Sequence, residues 1–297
     1  MNRHKYVKIK IMRILIIGGN GWIGQQFTPI LSTQSVEHRV AASRVDFDHI
    51  AELEEEMDAF APTHVVSFLG RTHGENFATI DYLEQPGKLV ENVRDNLMAP
   101  IILAQLCADR DIHYTYLGTG CIFNNEDDED DGNDCVQSFK ETDAPNFFGS
   151  SYSIVKGFTD RFMAWRHGRQ QSVLNLRIRM PIVGEDHPRN FITKIAHYEK
   201  VCSIPNSMSV LPELLPMALE LMKNRHVGTL NFTNPGVISH NEILALYKQW
   251  VDPAFEWRNF SLAEQDAALA SKRSNNCLDT RELQRLFPQV RPIKEAV

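Results

Sequence analysis

The sequence predicts an α/β protein: a doubly wound parallel sheet with helices on both faces. Three observations carry this. Arg13-Ile-Leu-Ile-Ile17 is a continuous apolar run, as expected of a strand buried on both sides. Gly18-Gly-Asn-Gly21-Trp-Ile-Gly24 follows at once and opens a helical pattern. Short apolar runs then alternate with helix-length stretches as far as Met180, the rhythm of successive strand–helix units.

The elements follow in order. The helix after the glycines runs to about Leu31, and His38-Arg-Val-Ala-Ala-Ser43 reads as a second strand. The glutamate-rich stretch 48–60 reads as a surface helix, and His64-Val-Val-Ser-Phe-Leu69 as the third strand. Residues 88–109 have helical periodicity, and Ile112 to Leu117 form the next strand. A helix from Tyr152 to about Trp165 leads to a strand from Val173 to Ile178. Beyond Met180 the prolines at 181, 188, 205, 212, 216 and 235 cut the chain into short pieces. The expected organisation is a dinucleotide-binding domain over 1–182 and a smaller, irregular substrate lobe over 183–297, with part of 210–230 returning to the first.

With 297 residues and 43% hydrophobic content, the chain can bury a substantial core. Its net charge of −7 argues against nucleic acid as a partner. Five cysteines without a CxxC fit reduced thiols of a cytoplasmic protein and offer no zinc pattern, so no metal is expected. No apolar run is long enough to cross a membrane. The basic stretch from Met1 to Met12 reads as a short tail leading into the first strand. The acidic run Asn124 to Asp134 reads as a solvated loop, since such charges repel and hydrate.

Gly18, Gly21 and Gly24 sit where a strand turns into a helix. There glycine allows a tight turn, close approach of a pyrophosphate to backbone N–H groups, and close helix–strand packing. This makes the sheet Rossmann-type, with Trp22 and Ile23 inside the cofactor loop. The end of the second strand selects the cofactor. An acidic residue there would favour NADH through the ribose 2′-hydroxyl. Ser43-Arg44 stands there instead and suits a 2′-phosphate, so NADPH is expected ahead of NADH, with Asp46 nearby as the counter-argument.

Tyr152 and Lys156 are spaced by one helical turn and share a helix face. A free phenol has a pKa of about 10, and an adjacent ammonium is expected to lower it. Thr119 offers a hydroxyl for a substrate carbonyl. Thr119, Tyr152 and Lys156 together suit proton donation to a ketone that receives a hydride. Cys121 follows Thr119 by two residues and adds a thiol that simple reduction does not need. The other cysteines lack such a setting.

With these motifs in order the chain resembles an extended short-chain dehydrogenase/reductase. Further stretches resemble the plant nucleotide-rhamnose synthase/epimerase-reductase family. They are Gly21-Trp-Ile-Gly24, Gly120-Cys-Ile-Phe123, Pro145-Asn-Phe147, Arg179-Met-Pro-Ile182, Pro188-Arg-Asn-Phe-Ile-Thr-Lys-Ile195 and Ile204-Pro-Asn-Ser-Met208. Asn231 to Val237, Ser239 to Leu244 and Arg273 to Asn276 extend the likeness across nearly the whole chain. The acidic loop and Val183-Gly-Glu-Asp-His187 depart from the family pattern.

The resemblance implies a bifunctional enzyme that epimerises C3 and C5 of a nucleotide-linked 4-keto-6-deoxyglucose and reduces C4 to give nucleotide-L-rhamnose, with UDP favoured over dTDP. It implies Cys121 and Lys194 as the epimerisation acid–base pair. His187 is the alternative partner, because the related GDP-fucose synthases pair a cysteine here with a histidine. Tyr152 is implied as proton donor, with Lys156 at the nicotinamide ribose. Asn190, Asn206 and Arg273 are candidates for the nucleotide diphosphate. A separate 4,6-dehydratase would supply the substrate, and a homodimer is expected. Two other readings stand beside this one: a 4-keto-rhamnose reductase without epimerase activity, and a non-catalytic NADP-binding regulatory subunit.

Overall fold

The structure is a computed structural model and describes residues 11–125, 138–169 and 172–297. Most of the acidic segment, Cys135 and the start of the basic tail lie outside these residues. In chain order the strands are β1 (Arg13–Ile17), β2 (Glu37–Val40), β3 (His64–Ser67), β4 (His113–Thr119), β5 (Ser138–Phe139), β6 (Val173–Ile178), β7 (Pro181–Ile182), β8 (Ser209–Val210), β9 (Gly228–Asn231) and β10 (Cys277–Leu278). The principal helices are α1 (Trp22–Thr33), α2 (Ile50–Phe60), α3 (Leu89–Val93), α4 (Ala99–Asp109), α5 (Ser151–His167), α6 (Phe191–Ala196), α7 (Leu211–Lys223) and α8 (His240–Trp250).

Six strands form one sheet in the order β2-β1-β3-β4-β6-β9, and all their pairings are parallel. Side chains alternate between faces with period two. Leu15, Ile17, Val65, Tyr114 and Tyr116 pack against Leu53 and Met57 of α2, Leu103 and Leu106 of α4, and Met163 of α5. Ile14, Ile16 and Val66 pack on the other face, against Phe27 and Leu31 of α1 and Leu215 and Leu219 of α7. The strand order reverses between β1 and β3. In open α/β sheets a ligand crevice opens at such a point, beyond the carboxyl ends of the strands.

Three elements differ from the sequence expectation for identifiable reasons. The second strand pairs only over Glu37–Val40, not to Ser43, because the Glu56 carboxylate accepts the Ala42 and Ser43 N–H groups at 3.0 and 2.9 Å. The helix expected over 88–109 is broken by a π turn at Arg94–Met98. Pro100 has no N–H to return to the Asn96 carbonyl and its ring crowds that oxygen. The Thr159 hydroxyl of α5 donates to the freed carbonyl at 2.6 Å. The fourth strand continues past Leu117 to Thr119, which carries this residue to the end of the sheet.

After β6 the chain pairs β7 with β8 beside a separate cluster of Ile182, Ile195, Met208, Ile238 and Leu244, while β10 pairs with β5 over a small cluster of Ile122, Phe123, Phe139 and Leu278. α7 and β9 return to the main sheet, where β9 is the sixth strand. Polar contacts join the two parts. Buried Arg179 donates to the Asn276 and Ser274 carbonyls at 3.0 and 2.9 Å. Asn276 donates to the Gly120 and Phe123 carbonyls at 2.9 and 2.7 Å, bracketing Cys121.

Candidate active site

A cleft of about 410 Å³ opens beyond β1, β4 and β6, and its walls include Thr119, Cys121, Tyr152, Lys156, Lys194 and Arg273. Gly21, Trp22 and Ile23 form its floor on the cofactor side. Gly18 has φ +74°, a region glycine enters without strain, and Gly21 N–H closes the turn on Gly18 O at 3.0 Å. A Cβ on Gly24 would lie 2.6 Å from Gly18 O and from Gly19 Cα, so α1 can sit on the turn only with glycine there. No side chain caps the start of α1. Its first N–H groups are therefore available to an anion, and the turn fits the pyrophosphate of a dinucleotide. Trp22 stacks on His187 with centroids 5.3 Å apart.

At the end of β2, Arg44 is 69% exposed and its Nε lies 4.0 Å from Asp46. Asp46 is engaged elsewhere: it accepts from Asp48 N–H at 3.2 Å and lies 2.5 Å from His49 Nδ1. The His49 hydrogen bond holds the Asp46 carboxyl below its usual range.

The chemical side chains come from two elements. β4 delivers Thr119, whose hydroxyl accepts the Cys121 N–H at 3.1 Å and is hydrogen-bonded to the Tyr152 phenol. α5 delivers Tyr152 and Lys156. Ser150 caps this helix by accepting Ser153 N–H at 3.0 Å, and the Ser153 hydroxyl donates to Cys121 O at 2.7 Å. One cap therefore aligns both helix and thiol loop. Tyr82, Leu83, Phe77 and Ile80 close an apolar wall around Tyr152 and Cys121.

One electrostatic expectation is corrected. The Tyr152 pKa is raised, by burial first and by the charge of Cys121 second, with the Thr119 hydrogen bond opposing. Lys156 does not lower it, because its ammonium donates to the Tyr116 hydroxyl and sits 4.6 Å from the centre of that ring. Burial pulls Lys156 itself down to about 8, against Asp160 and Cys121.

The remaining expected residues divide. Lys194 reaches the cleft, where Nζ donates to Ala78 O at 3.3 Å, and burial followed by Arg189 lowers its pKa. Arg273 reaches it too, but is tied to Asp81 and Ser271. Asn190 caps α6 and donates to Val183 and Glu185 carbonyls at 3.0 and 2.8 Å, so it shapes the loop that departs from the family pattern. Asn206 accepts Asn276 N–H at 2.9 Å and is fully buried. Neither amide lines the cleft. His187 is stacked on Trp22, and its Nδ1 accepts Arg189 N–H at 3.0 Å. Sequence reasoning missed His73, Arg189, Phe191 and Tyr198, which also line the cleft. Arg189 and Phe191 stood inside a motif already singled out. The 70–84 segment holding His73 had no periodicity to mark it.

The crevice, the glycine turn and the ordered Thr, Tyr and Lys fit the site of a dinucleotide-dependent oxidoreductase. The chain belongs to the NAD dependent epimerase/dehydratase family, which its residues 14–198 match. It is 51% identical over 282 residues to the L780 protein of Acanthamoeba polyphaga mimivirus, with 94% of each chain covered. It matches the crystal structure of the L780 UDP-rhamnose synthase from that virus with a TM-score of 0.89 and 49% identity, covering 96% of this chain and 98% of that one. A bifunctional dTDP-4-dehydrorhamnose 3,5-epimerase/dTDP-4-dehydrorhamnose reductase of Arabidopsis thaliana is 39% identical over 284 residues, with 95% of this chain and 90% of that one covered. A trifunctional UDP-glucose 4,6-dehydratase/epimerase/reductase of the same plant is 38% identical over 287 residues, and there 96% of this chain spans 41% of the larger protein.

Proposed function

We propose that the chain converts UDP-4-keto-6-deoxyglucose to UDP-L-rhamnose as a 3,5-epimerase and 4-reductase that uses NADPH, with dTDP as the second nucleotide. The observation that carries this reading is the pairing of Cys121 and Tyr152 in one cleft beside the glycine turn. A thiol suits proton transfer at a carbon acid, and a phenol suits protonation of a ketone oxygen.

The C4 ketone acidifies the protons on C3 and C5. Cys121 and Lys194 act as the proton-transfer pair, one removing a proton and the other returning one on the opposite face. The Thr119 and Tyr152 hydroxyls hold the C4 oxygen while enolate charge develops on it. Bound NADPH supplies the hydride for C4. Tyr152 then gives its proton to the C4 oxygen. Burial keeps that phenol protonated until this step. Lys156 holds the ribose beside it, and Ser43 with Arg44 favours the 2′-phosphate.

A separate 4,6-dehydratase supplies the ketone, an activity that the trifunctional relatives carry on the same polypeptide. We assign the protein to the cytoplasm; no helix among the described residues is long and apolar enough to cross a membrane. Exposed Ile154, Phe158 and Trp165 form an apolar stripe on α5 that supports a homodimer. The reading is tested by incubating the protein with NADPH and either UDP- or dTDP-4-keto-6-deoxyglucose and identifying the product. L-rhamnose-configured product is expected. A 6-deoxy sugar that keeps the glucose configuration at C3 and C5 contradicts the epimerase half.

A further inference from the structure

Arg189 and Lys194 line the cleft, and among the described residues neither has a carboxylate at ion-pair distance. Their neighbours differ. Arg273 is bound to Asp81, and Arg71 lies 2.6 Å from Asp95. Burial lowers the pKa of both Arg189 and Lys194, and the Arg189 charge lowers that of Lys194 further. Both cations are partly buried, and a partly desolvated cation without a counter-ion favours an anionic ligand.

His73 stands beside Arg189 in the cleft wall. The Arg189 guanidinium lies against His73 Nε2. Arginine has donors only, so Nε2 is the bare nitrogen and the proton of the neutral ring is on Nδ1. Burial, helped by Arg189, Arg71 and Lys194, brings His73 down to about 4 and keeps the ring neutral near pH 7. Nδ1 is buried and has no hydrogen-bond partner among the described residues. A buried N–H without an acceptor is a gap in the site, and His73 is part of the cleft wall.

We propose that the His73 Nδ1–H and the Arg189 guanidinium seat the diphosphate of the nucleotide sugar, with His73 as a substrate-binding residue. This rests on the nucleotide-sugar reading above. It moves the diphosphate away from Arg273, whose charge Asp81 already balances, and towards Arg189, which has no carboxylate at ion-pair distance among the described residues. Lys194 beside them remains free for the sugar.

The test uses the full chain and UDP as probe, with uridine, which lacks the phosphates, as control. Asparagine places an amide N–H near the Nδ1 position. Glutamine reaches the Nε2 position, where its carbonyl still accepts from Arg189, and leaves the Nδ1 position empty. His73→Asn is expected to keep the UDP Kd within about twofold, and His73→Gln to weaken it about tenfold. Uridine and NADPH affinities should stay unchanged in both variants. If His73→Gln binds UDP like wild type, if the two variants lose UDP affinity alike, or if uridine and NADPH affinities fall with it, the proposal is overturned. Wild-type protein that binds neither UDP nor dTDP overturns the nucleotide-sugar reading itself, a result distinct from those.

Discussion

The two ends of the cleft are built differently. At the cofactor end the surface is backbone: a glycine turn with φ +74° at Gly18 and uncapped N–H groups at the start of α1. At the substrate end it is side chains brought from afar, such as Arg189 against His73 across 116 positions and Arg273 against Asp81 across 192. The first end is intolerant of a single added carbon at Gly24. The second depends on individual side chains. Binding of cofactor and chemistry on the sugar should therefore separate by mutation.

The largest effect falls at the side-chain end. Tyr152→Phe removes the proposed proton donor and keeps the ring, and kcat for reduction should fall by roughly 10²–10⁴-fold, the usual range for a general acid. NADPH titration should give the wild-type affinity. Near-normal NADPH consumption would remove Tyr152 from the proton-donor role. At the backbone end, Gly24→Ala places a methyl 2.6 Å from three backbone atoms. Overpacking of this kind costs about 1–3 kcal/mol, so NADPH should bind roughly tenfold to a hundredfold more weakly. Unchanged affinity would show that the turn relaxes.

A smaller effect reads the strain of a buried cation. Lys156 has its pKa drawn down from the usual 10.5 to about 8 by burial. Between those values the unfolded chain binds the extra proton, so this residue's cost to stability is full below about pH 8 and shrinks as pH rises. Lys156→Met should be inactive yet melt a few degrees higher than wild type near pH 7. The gap should close as pH rises from about 8 toward 10.5. A lower melting temperature for the variant at neutral pH would mean that the Tyr116 contact outweighs the burial. The smallest effect is expected at exposed Arg44. Arg44→Ala should reduce the NADPH to NADH ratio of kcat/KM by several-fold, and an unchanged ratio would leave Ser43 and the backbone to make the choice.

The same division explains what could be read from the sequence. The glycine turn, the apolar strands and the local pairs Thr119 with Cys121 and Tyr152 with Lys156 are legible because each depends on residues close in the chain. Tyr116 as the partner of Lys156 is not, since 40 positions separate them and Tyr116 looks like any inward strand residue. The raised pKa of Tyr152 follows from its burial against Tyr82 and Leu83, which the spacing of Tyr152 and Lys156 does not reveal. Asn190 and Asn206 stand in motif stretches, yet their amides are used by the chain itself. A motif marks a region that a fold needs and does not say which of its side chains face the ligand.

Two reactions in one cleft is the central claim, and Cys121→Ala tests it most directly. The assay follows deuterium uptake at C3 and C5 from D₂O, beside reduction of a 4-keto-rhamnose nucleotide that has already been epimerised. The account predicts that the variant loses exchange at one or both carbons and still reduces the pre-epimerised ketone, because Thr119, Tyr152 and Lys156 remain. Lys194→Ala should show the same split, and His187→Ala should not. Full exchange at both carbons in Cys121→Ala would contradict the account and reduce the thiol to a packing residue.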